Sequence, residues 1–314
     1  MDELFALTNV SLDLEGTRVL KDLSFTISKK SFLGILGPSG SGKTTLLKLL
    51  IGLYKPSSGV ISYKGKNLAD TIIQVRKEIG FAAQRYTFYD DLTLEENLMY
   101  WGKLYKVKKD TLKERIPQLL ELVELNHVKD KKAMRISGGM QRRLDIACAL
   151  IHDPEILFLD EPFTGLDPKL REHILALIKR IWDQGKTIVM SSHFINEIEG
   201  QCKQICILKE GSLITYGTPL DIRKNIATVY EVTLQTAPGQ YPNIVRYLTT
   251  KGLKITNYII KENHLILYLP KEGTPQTYLR SVLTGLPEIN EYLLNVKLDT
   301  LSFEELFAEI LAKK

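Results

Sequence analysis

Cysteine is scarce in this chain. Cys148, Cys202 and Cys206 are the whole complement in 314 residues. They are too few and too unevenly spaced for a disulfide framework, so the chain reads as one suited to a reducing compartment. Long hydrophobic runs are also missing. Ile146–Ile151 and Ile156–Leu159 are short and bounded by polar residues, well below the ~18 apolar residues of a membrane-spanning helix. The opening MDELFALTNVSLDLEG carries acids where a signal peptide would carry bases. The expectation is a cytoplasmic chain that reaches a membrane only through a partner. No low-complexity segment or internal repeat appears. His127, His152, His173 and His264 show no metal-ligand spacing, and Cys202 and Cys206 have no His or third Cys beside them. The net charge of +5 allows contact with phosphates or an anionic surface without demanding either.

What is present is an ordinary globular composition, 44% hydrophobic and 25% charged, which excludes disorder and collagen-like repeats. The length fits one large domain or two modest ones. Phe5–Ser11, Leu23–Ile27 and the compact run Phe32–Leu36 read as strands. Thr44–Leu53 follows a glycine-rich segment with apolar residues at helical spacing. A polar, helical stretch runs from about Leu92 to Val128, and its basic run Lys103–Arg115 reads as a solvated face. A helix is expected from Ser137 to about Ile151, a strand at Ile156–Leu159, an amphipathic helix at Leu170–Trp182 and a strand at Thr187–Met190. Strands alternating with helices predict α/β layers around a largely parallel sheet. The pattern changes near Gly217-Thr218-Pro219. Beyond it Val229–Gln235, Leu248–Ile260 and Leu265–Leu269 read as strands, and Pro275–Leu283 and Phe303–Leu311 as helices. Residues 220–314 are therefore expected to form a small α+β domain after a first domain at 1–219.

Three segments carry chemistry. The first is Gly37, Pro38, Ser39, Gly40, Ser41, Gly42, Lys43, Thr44, Thr45, which fits G-x-x-x-x-G-K-[ST] between an apolar strand and a helix. Glycines let successive N–H groups point into one anion-binding nest, and the helix dipole faces the same anion. Lys43 can reach the β- and γ-phosphates, and the Thr44 hydroxyl can ligate Mg²⁺. The second is Ile156–Leu159 ending in Asp160 and Glu161. This puts carboxylates at the C-terminal edge of a parallel sheet, where ligands bind. Asp160 is placed to hold Mg²⁺ through water and Glu161 to polarise an attacking water. The third is Ser137-Gly138-Gly139 opening a helix, a second anion site or an ordinary N-cap.

Together these motifs resemble the ATP-binding cassette (ABC) family of transporter ATPases, in family order and over Leu4 to about Gly217. Gly37–Thr45 is similar to the Walker A loop, Gln84 to the Q-loop glutamine, and Ile136–Met140 to the signature motif. Asp160 and Glu161 resemble the Walker B acid and the catalytic glutamate, Gly165-Leu166-Asp167 the D-loop, and His193 the switch histidine. The resemblance implies a P-loop NTPase of ABC type, with a mixed sheet core, a helical signature subdomain at about 85–150 and the small C-terminal α+β domain. It implies ATP and Mg²⁺ as ligands, with Gln84 touching the metal or water near the membrane partner. It also implies that Ser137, Gly138 and Gly139 seal the ATP of a second cassette in a head-to-tail dimer, a homodimer by expectation. The integral membrane permease would be a separate chain, holding this one on the inner face of the cell membrane; no nucleic acid is expected.

Two positions depart from the family pattern. Met140 stands where Gln is usual. Leu14 and Glu15 stand where an aromatic normally stacks on adenine, with Phe5 and Arg18 as the two possible replacements. Tyr89–Leu98, Trp101–Tyr105 and the ending Leu301–Phe307 resemble the bacterial type-2 export subfamily of drug, antibiotic, polysaccharide and sodium exporters. The alternatives are an importer ATPase, whose relatives of this size carry a β-barrel domain, and a non-transport cassette ATPase acting on DNA or ribosomes, whose relatives carry a long coiled coil or two cassettes.

Overall fold

Three two-residue turns shape the first two-thirds of the chain. Glu15-Gly16, Lys64-Gly65 and Glu210-Gly211 each place both residues at positive φ, the geometry whose twist matches antiparallel hairpins. The computed structural model describes residues 3–300 except 194, 196, 197, 199, 227, 228 and 273, together with Phe307. The expected helix at Phe303–Leu311 lies outside the described residues apart from Phe307. The strands are β1 (Glu3–Leu14), β2 (Thr17–Ser28), β3 (Phe32–Leu36), β4 (Ser58–Tyr63), β5 (Lys66–Asn67), β6 (Ile79–Ala82), β7 (Ile156–Asp160), β8 (Thr187–Ser192), β9 (Gln204–Lys209) and β10 (Ser212–Gly217), followed by β11 (Val229–Ala237), β12 (Asn257–Lys261), β13 (His264–Pro270) and β14 (Tyr292–Thr300). The α-helices are α1 (Lys43–Leu50), α2 (Leu68–Glu78), α3 (Leu94–Leu104), α4 (Lys109–Leu122), α5 (Gly138–Leu150), α6 (Pro168–Asp183), α7 (Pro219–Ile226), α8 (Tyr241–Thr250) and α9 (Pro275–Gly285).

The chain divides into two units, Met1–Pro219 and Leu220–Lys314. The first holds a sheet in the order β5-β4-β1-β2-β10-β9-β3-β8-β7-β6. From β9 to β6 the strands are parallel. Those at β3, β7 and β8 are buried at every position, as strands covered on both faces must be. The other half is mostly antiparallel, joined by the three hairpins. A largely parallel sheet, the expectation from strand and helix alternation, is thus half of what forms. The X-Gly turns reverse the chain before any crossover helix can intervene. They also lengthen the expected strands at 5–11 and 23–27 into one long hairpin, with Leu14 opposite Thr17.

The helical stretch at 92–128 is broken. Thr93 and Glu96 form a reciprocal cap that starts α3. Lys106 at φ 58° ends it, with the Val107 N–H donating to Gly102 O at 2.9 Å. Gly102 lets α4 approach, since a Cβ there would stand 2.2 Å from Leu112 Cδ2.

The second unit runs β11-α8-β12-β13-α9-β14, with strand order β12-β13-β11-β14 and all pairs antiparallel. This is the split β-α-β arrangement. Val232, Leu234, Leu265, Leu267 and Leu269 pack under Ile244, Leu248, Tyr278 and Val282. The strand expected at Leu248–Ile260 is shorter than its sequence suggested. Ile244 and Leu248, one helical turn apart, bury together and carry α8 to Thr250. Gly252 at φ 86° then turns the chain, and the strand begins at Asn257.

The C-terminal end of α5 is fastened to β6 by His152. Its Nε2–H donates to Ile79 O at 3.1 Å, and its ring stacks on Tyr105 with centroids 3.6 Å apart. Burial, reinforced by the nearby Arg115 charge, pushes the imidazole down to about 4. It is neutral in the folded chain, while the unfolded chain takes up the proton below its ordinary value of 6.5. The stabilising contribution is therefore full above pH 6.5 and is lost as pH falls toward 4, by up to about 3 kcal/mol. His152→Phe keeps the stack and removes the titration. Urea midpoints measured between pH 7 and 4 are expected to fall less steeply for this variant than for the wild type.

Candidate nucleotide site

Register brings the chemistry together. Leu36 of β3 pairs with Ser192 of β8, and Asp160 of β7 with Ser191 of β8. The loop after β3 and the acids ending β7 thus open on one edge of the sheet. In the loop, Gly42 adopts φ 101° and packs on Leu20 of β2, and a Cβ at Gly37 would collide with Leu208 O and Ser41 Oγ at 2.4 Å each. Only glycine permits that path. No side chain caps α1 at Gly42, so the N–H groups of its first turn face the loop's concavity without a competing acceptor. Ser41 Oγ is buried beside Gly37 with no hydrogen-bond partner among the described residues.

Lys43 is buried and curls under this loop. Its Nζ donates to Gly37 O at 2.8 Å and Pro38 O at 3.1 Å, and pairs with Glu161 Oε1 at 3.0 Å. Glu161 Oε2 lies 2.7 Å from His193 Nδ1. The Thr44 hydroxyl donates toward both Asp160 oxygens, at 2.8 and 3.0 Å. Lys43, Thr44, Asp160, Glu161 and His193 therefore form one hydrogen-bonded constellation. The Asp160 carboxylate and Thr44 hydroxyl are adjacent hard oxygen donors, the chemistry that suits Mg²⁺ beside a phosphate.

The remaining sequence candidates fall elsewhere. Pro38, Ser39, Gly40 and Thr45 lie in the loop and the start of α1. Gln84 is exposed just past β6, and its carbonyl accepts from Arg142 Nη2 at 3.3 Å. Ser137 caps α5 by accepting from the Met140 N–H, and Gly138 O accepts from the Tyr86 hydroxyl. Asp167 caps α6. Of the two possible adenine contacts, Phe5 is fully buried against Tyr63 and Phe158. Arg18 is exposed and paired with Asp13 at 3.1 Å, two residues before the Leu20 that abuts Gly42.

Two participants escaped the sequence reading. Ser191 Oγ donates to Asp160 Oδ1 at 2.7 Å and accepts from the Glu161 N–H at 2.9 Å. Its signal was modest: a hydroxyl ending an apolar strand just before Ser192-His193. Arg142 is a buried arginine within α5, where a helix-face pattern gives no hint of its partners.

The ABC transporter family matches residues 20–164. The chain is 36% identical over 218 residues to the linearmycin resistance ATP-binding protein LnrL of Bacillus subtilis, covering 69% of this chain and 70% of that one. It is 33% identical over 261 residues to a Nod factor export ATP-binding protein I of Cupriavidus pinatubonensis, covering 82% and 80%. Among solved structures it resembles cbiO1 of Clostridium perfringens, described as part of the ABC transporter complex cbiONQ. That match has a TM-score of 0.66 and 28% identity, and covers 72% of this chain and 92% of that one.

Ser191→Ala removes one support from each acid and leaves the buried Glu161 N–H unpaired, a loss worth about 1–3 kcal/mol. Nucleotide hydrolysis is expected to fall about tenfold with nucleotide affinity nearly unchanged, since ~1.4 kcal/mol in the barrier is a factor of ten. Steady-state rates beside a nucleotide titration check this.

Proposed function

Because the chain belongs to the ABC transporter family and is an ATP-binding, ATP-hydrolysing transporter subunit, we propose that it powers export through a separate membrane permease. The observation that carries the chemical part is the constellation of Lys43, Thr44, Asp160, Glu161 and His193. The loop N–H groups and Lys43 take the β- and γ-phosphates of ATP. Asp160 and Thr44 would hold Mg²⁺, which would supply positive charge beside the phosphate oxygens. Glu161 accepts a proton from the water that attacks the γ-phosphorus in line as ADP departs. The Nδ1 contact of His193 holds that carboxylate in place. An incoming phosphate competes with Glu161 for Lys43, so binding itself releases the carboxylate toward the water. Arg18 is the exposed residue we assign to the base.

Ser137, Gly138 and Gly139 sit at the start of α5, where Ser137 and Gly138 are exposed and helix N–H groups can take an anion from outside the chain. This supports the reading that they serve the ATP of a second copy in a head-to-tail dimer. The permease is assigned to the groove where Leu53, Arg76, Phe81, Leu104 and Tyr105 meet. Leu53 and Leu104 are more than half exposed there, and the groove joins the nucleotide core to α3. No described helix is long and apolar enough to cross a membrane, so attachment to the membrane's inner face goes through that groove. Export is supported by relatives named for linearmycin resistance and Nod factor export. The second unit, an open antiparallel sheet under two helices, differs from the β-barrel expected of an importer.

Glu161→Gln is expected to lower hydrolysis by about 10²–10⁴-fold, the usual worth of a general base. ATP affinity is retained, and the variant accumulates as an ATP-bound dimer. Phosphate release and light scattering measure the two effects, and near wild-type hydrolysis would remove Glu161 from this role.

Ser137→Arg blocks hydrolysis without weakening ATP binding to a single chain, whereas Lys43→Ala weakens binding itself. In a mixed dimer the two lesions share one site and leave the other intact. Mixing the inactive variants is expected to restore part of the activity if one site suffices. A photo-activated ATP is expected in either case to crosslink Ser137 of the opposite copy in wild-type dimers. Crosslinks confined to one chain would refute the head-to-tail arrangement.

A further inference from the structure

Arg142 is 2% exposed, yet its guanidinium has a single carboxylate partner, Asp145 Oδ2 at 3.3 Å. Three further hydrogen bonds from its two Nη groups go to main-chain carbonyls of two other segments. Nη1 donates to Ala83 O at 2.9 Å, and Nη2 donates to Gln84 O at 3.3 Å and, at the long limit of 3.5 Å, to Glu161 O. Asp145 completes the frame from the same helix. Its Oδ1 accepts from the Thr87 N–H at 2.9 Å and the Thr87 hydroxyl at 2.7 Å. A planar fork with five donors is the side chain that can serve several acceptors in fixed directions at once. A buried cation that serves carbonyls in this way is costly to install unless every contact is made.

The acceptor at Glu161 matters most. Glu161 has φ 48°, a left-handed conformation uncommon outside glycine and costing of order 1–3 kcal/mol, which persists only where the surroundings hold it. Three contacts hold its backbone, and the most local is the Thr164 N–H, which donates to its carbonyl at 3.3 Å. Ser191 receives its N–H, and Arg142 donates to its carbonyl.

We propose that Arg142 is a positioning residue for hydrolysis, tying α5, the 83–87 segment and the backbone of Glu161 into one body, so that displacement of the Ser137 end of α5 is carried to the Glu161 carboxylate. The inference rests on the reading of Glu161 as the group that activates water. It adds a route by which docking of the second copy at Ser137, or of a partner near Gln84, sets the geometry of that carboxylate. In this proposal Arg142 acts through the backbone of Glu161.

The test uses the full chain and counts active sites by nucleotide titration. Arg142→Lys keeps a cation beside Asp145 but cannot span three carbonyls. It is expected to lower kcat per titrated site about tenfold while ATP affinity stays within twofold. A second variant, Arg142→Gln with Asp145→Asn, removes the buried charges together and decides the matter if the lysine variant does not fold. The discriminating readout is the combination with Glu161→Gln under single turnover. If Arg142 acts through Glu161, adding Arg142→Lys produces no further loss. Multiplying losses, or a kcat per site within twofold of wild type for Arg142→Lys alone, would overturn the proposal. Wild-type hydrolysis by Glu161→Gln alone would instead overturn the reading of Glu161, and this inference with it.

Discussion

A carboxylate buried at the end of a parallel strand must be hydrogen-bonded or it will not stay ionised. Asp160 is 2% exposed, and its oxygens are met by Thr44 from the start of α1 and Ser191 from the end of β8. Those hydroxyls arrive together only because β3, β8 and β7 lie side by side in register. The phosphate loop, the acids and the histidine after β8 are thus all located by satisfying one desolvated group. A slip of register would turn the pleat and send these side chains to the other face.

The pair formed by Lys43 and Glu161 works differently. Both groups are almost fully buried and 3.0 Å apart. Desolvation offsets much of their attraction, so the pair is better regarded as exchangeable than as a stabilising rivet. Phosphate oxygens carry more charge than a carboxylate and meet Lys43 within a nest of N–H groups. In the proposed reaction, exchange of Lys43 from carboxylate to phosphate would couple nucleotide entry to release of Glu161. Glu161 is then governed by what remains in contact with it: His193 at its side chain, and Ser191, Thr164 and Arg142 at its backbone.

Arg142 gives α5 two opposed duties. Its N-terminus, capped by Ser137, is the surface proposed for a second copy, while its interior is fixed to the core through buried polar contacts. A helix held only by apolar packing could slide over its neighbours at small cost. One held by directional bonds to three carbonyls moves them or breaks the bonds. The stack of His152 on Tyr105 adds a similar tie at the other end of the helix, beside the groove assigned to the permease.

Much of this was legible in the sequence because the signals are local. A glycine-rich loop between an apolar strand and a helix specifies its own backbone, and Asp160 and Glu161 follow an apolar run whose length and burial are unambiguous. Lys43, Thr44, Asp160 and Glu161 were named on such grounds and His193 through the family resemblance, and the structure brings them into one constellation. The mixed character of the sheet came from the family resemblance and not from the local pattern, because Glu-Gly and Lys-Gly are weaker hairpin signals than Asn-Gly. The helix ending at Thr250 was read as strand because its apolar spacing is short enough to fit either period. Ser191 and Arg142 were missed for a deeper reason. Their importance lies in partners remote in sequence: Asp160 for one, and the carbonyls of Ala83, Gln84 and Glu161 for the other. Local pattern determines which segments bind phosphate and which end in acid. Which hydroxyl supports the acid, and which buried cation joins helix to catalytic carboxylate, is decided by tertiary packing, because a hydrogen bond depends on where two atoms meet and the chain's order does not record that.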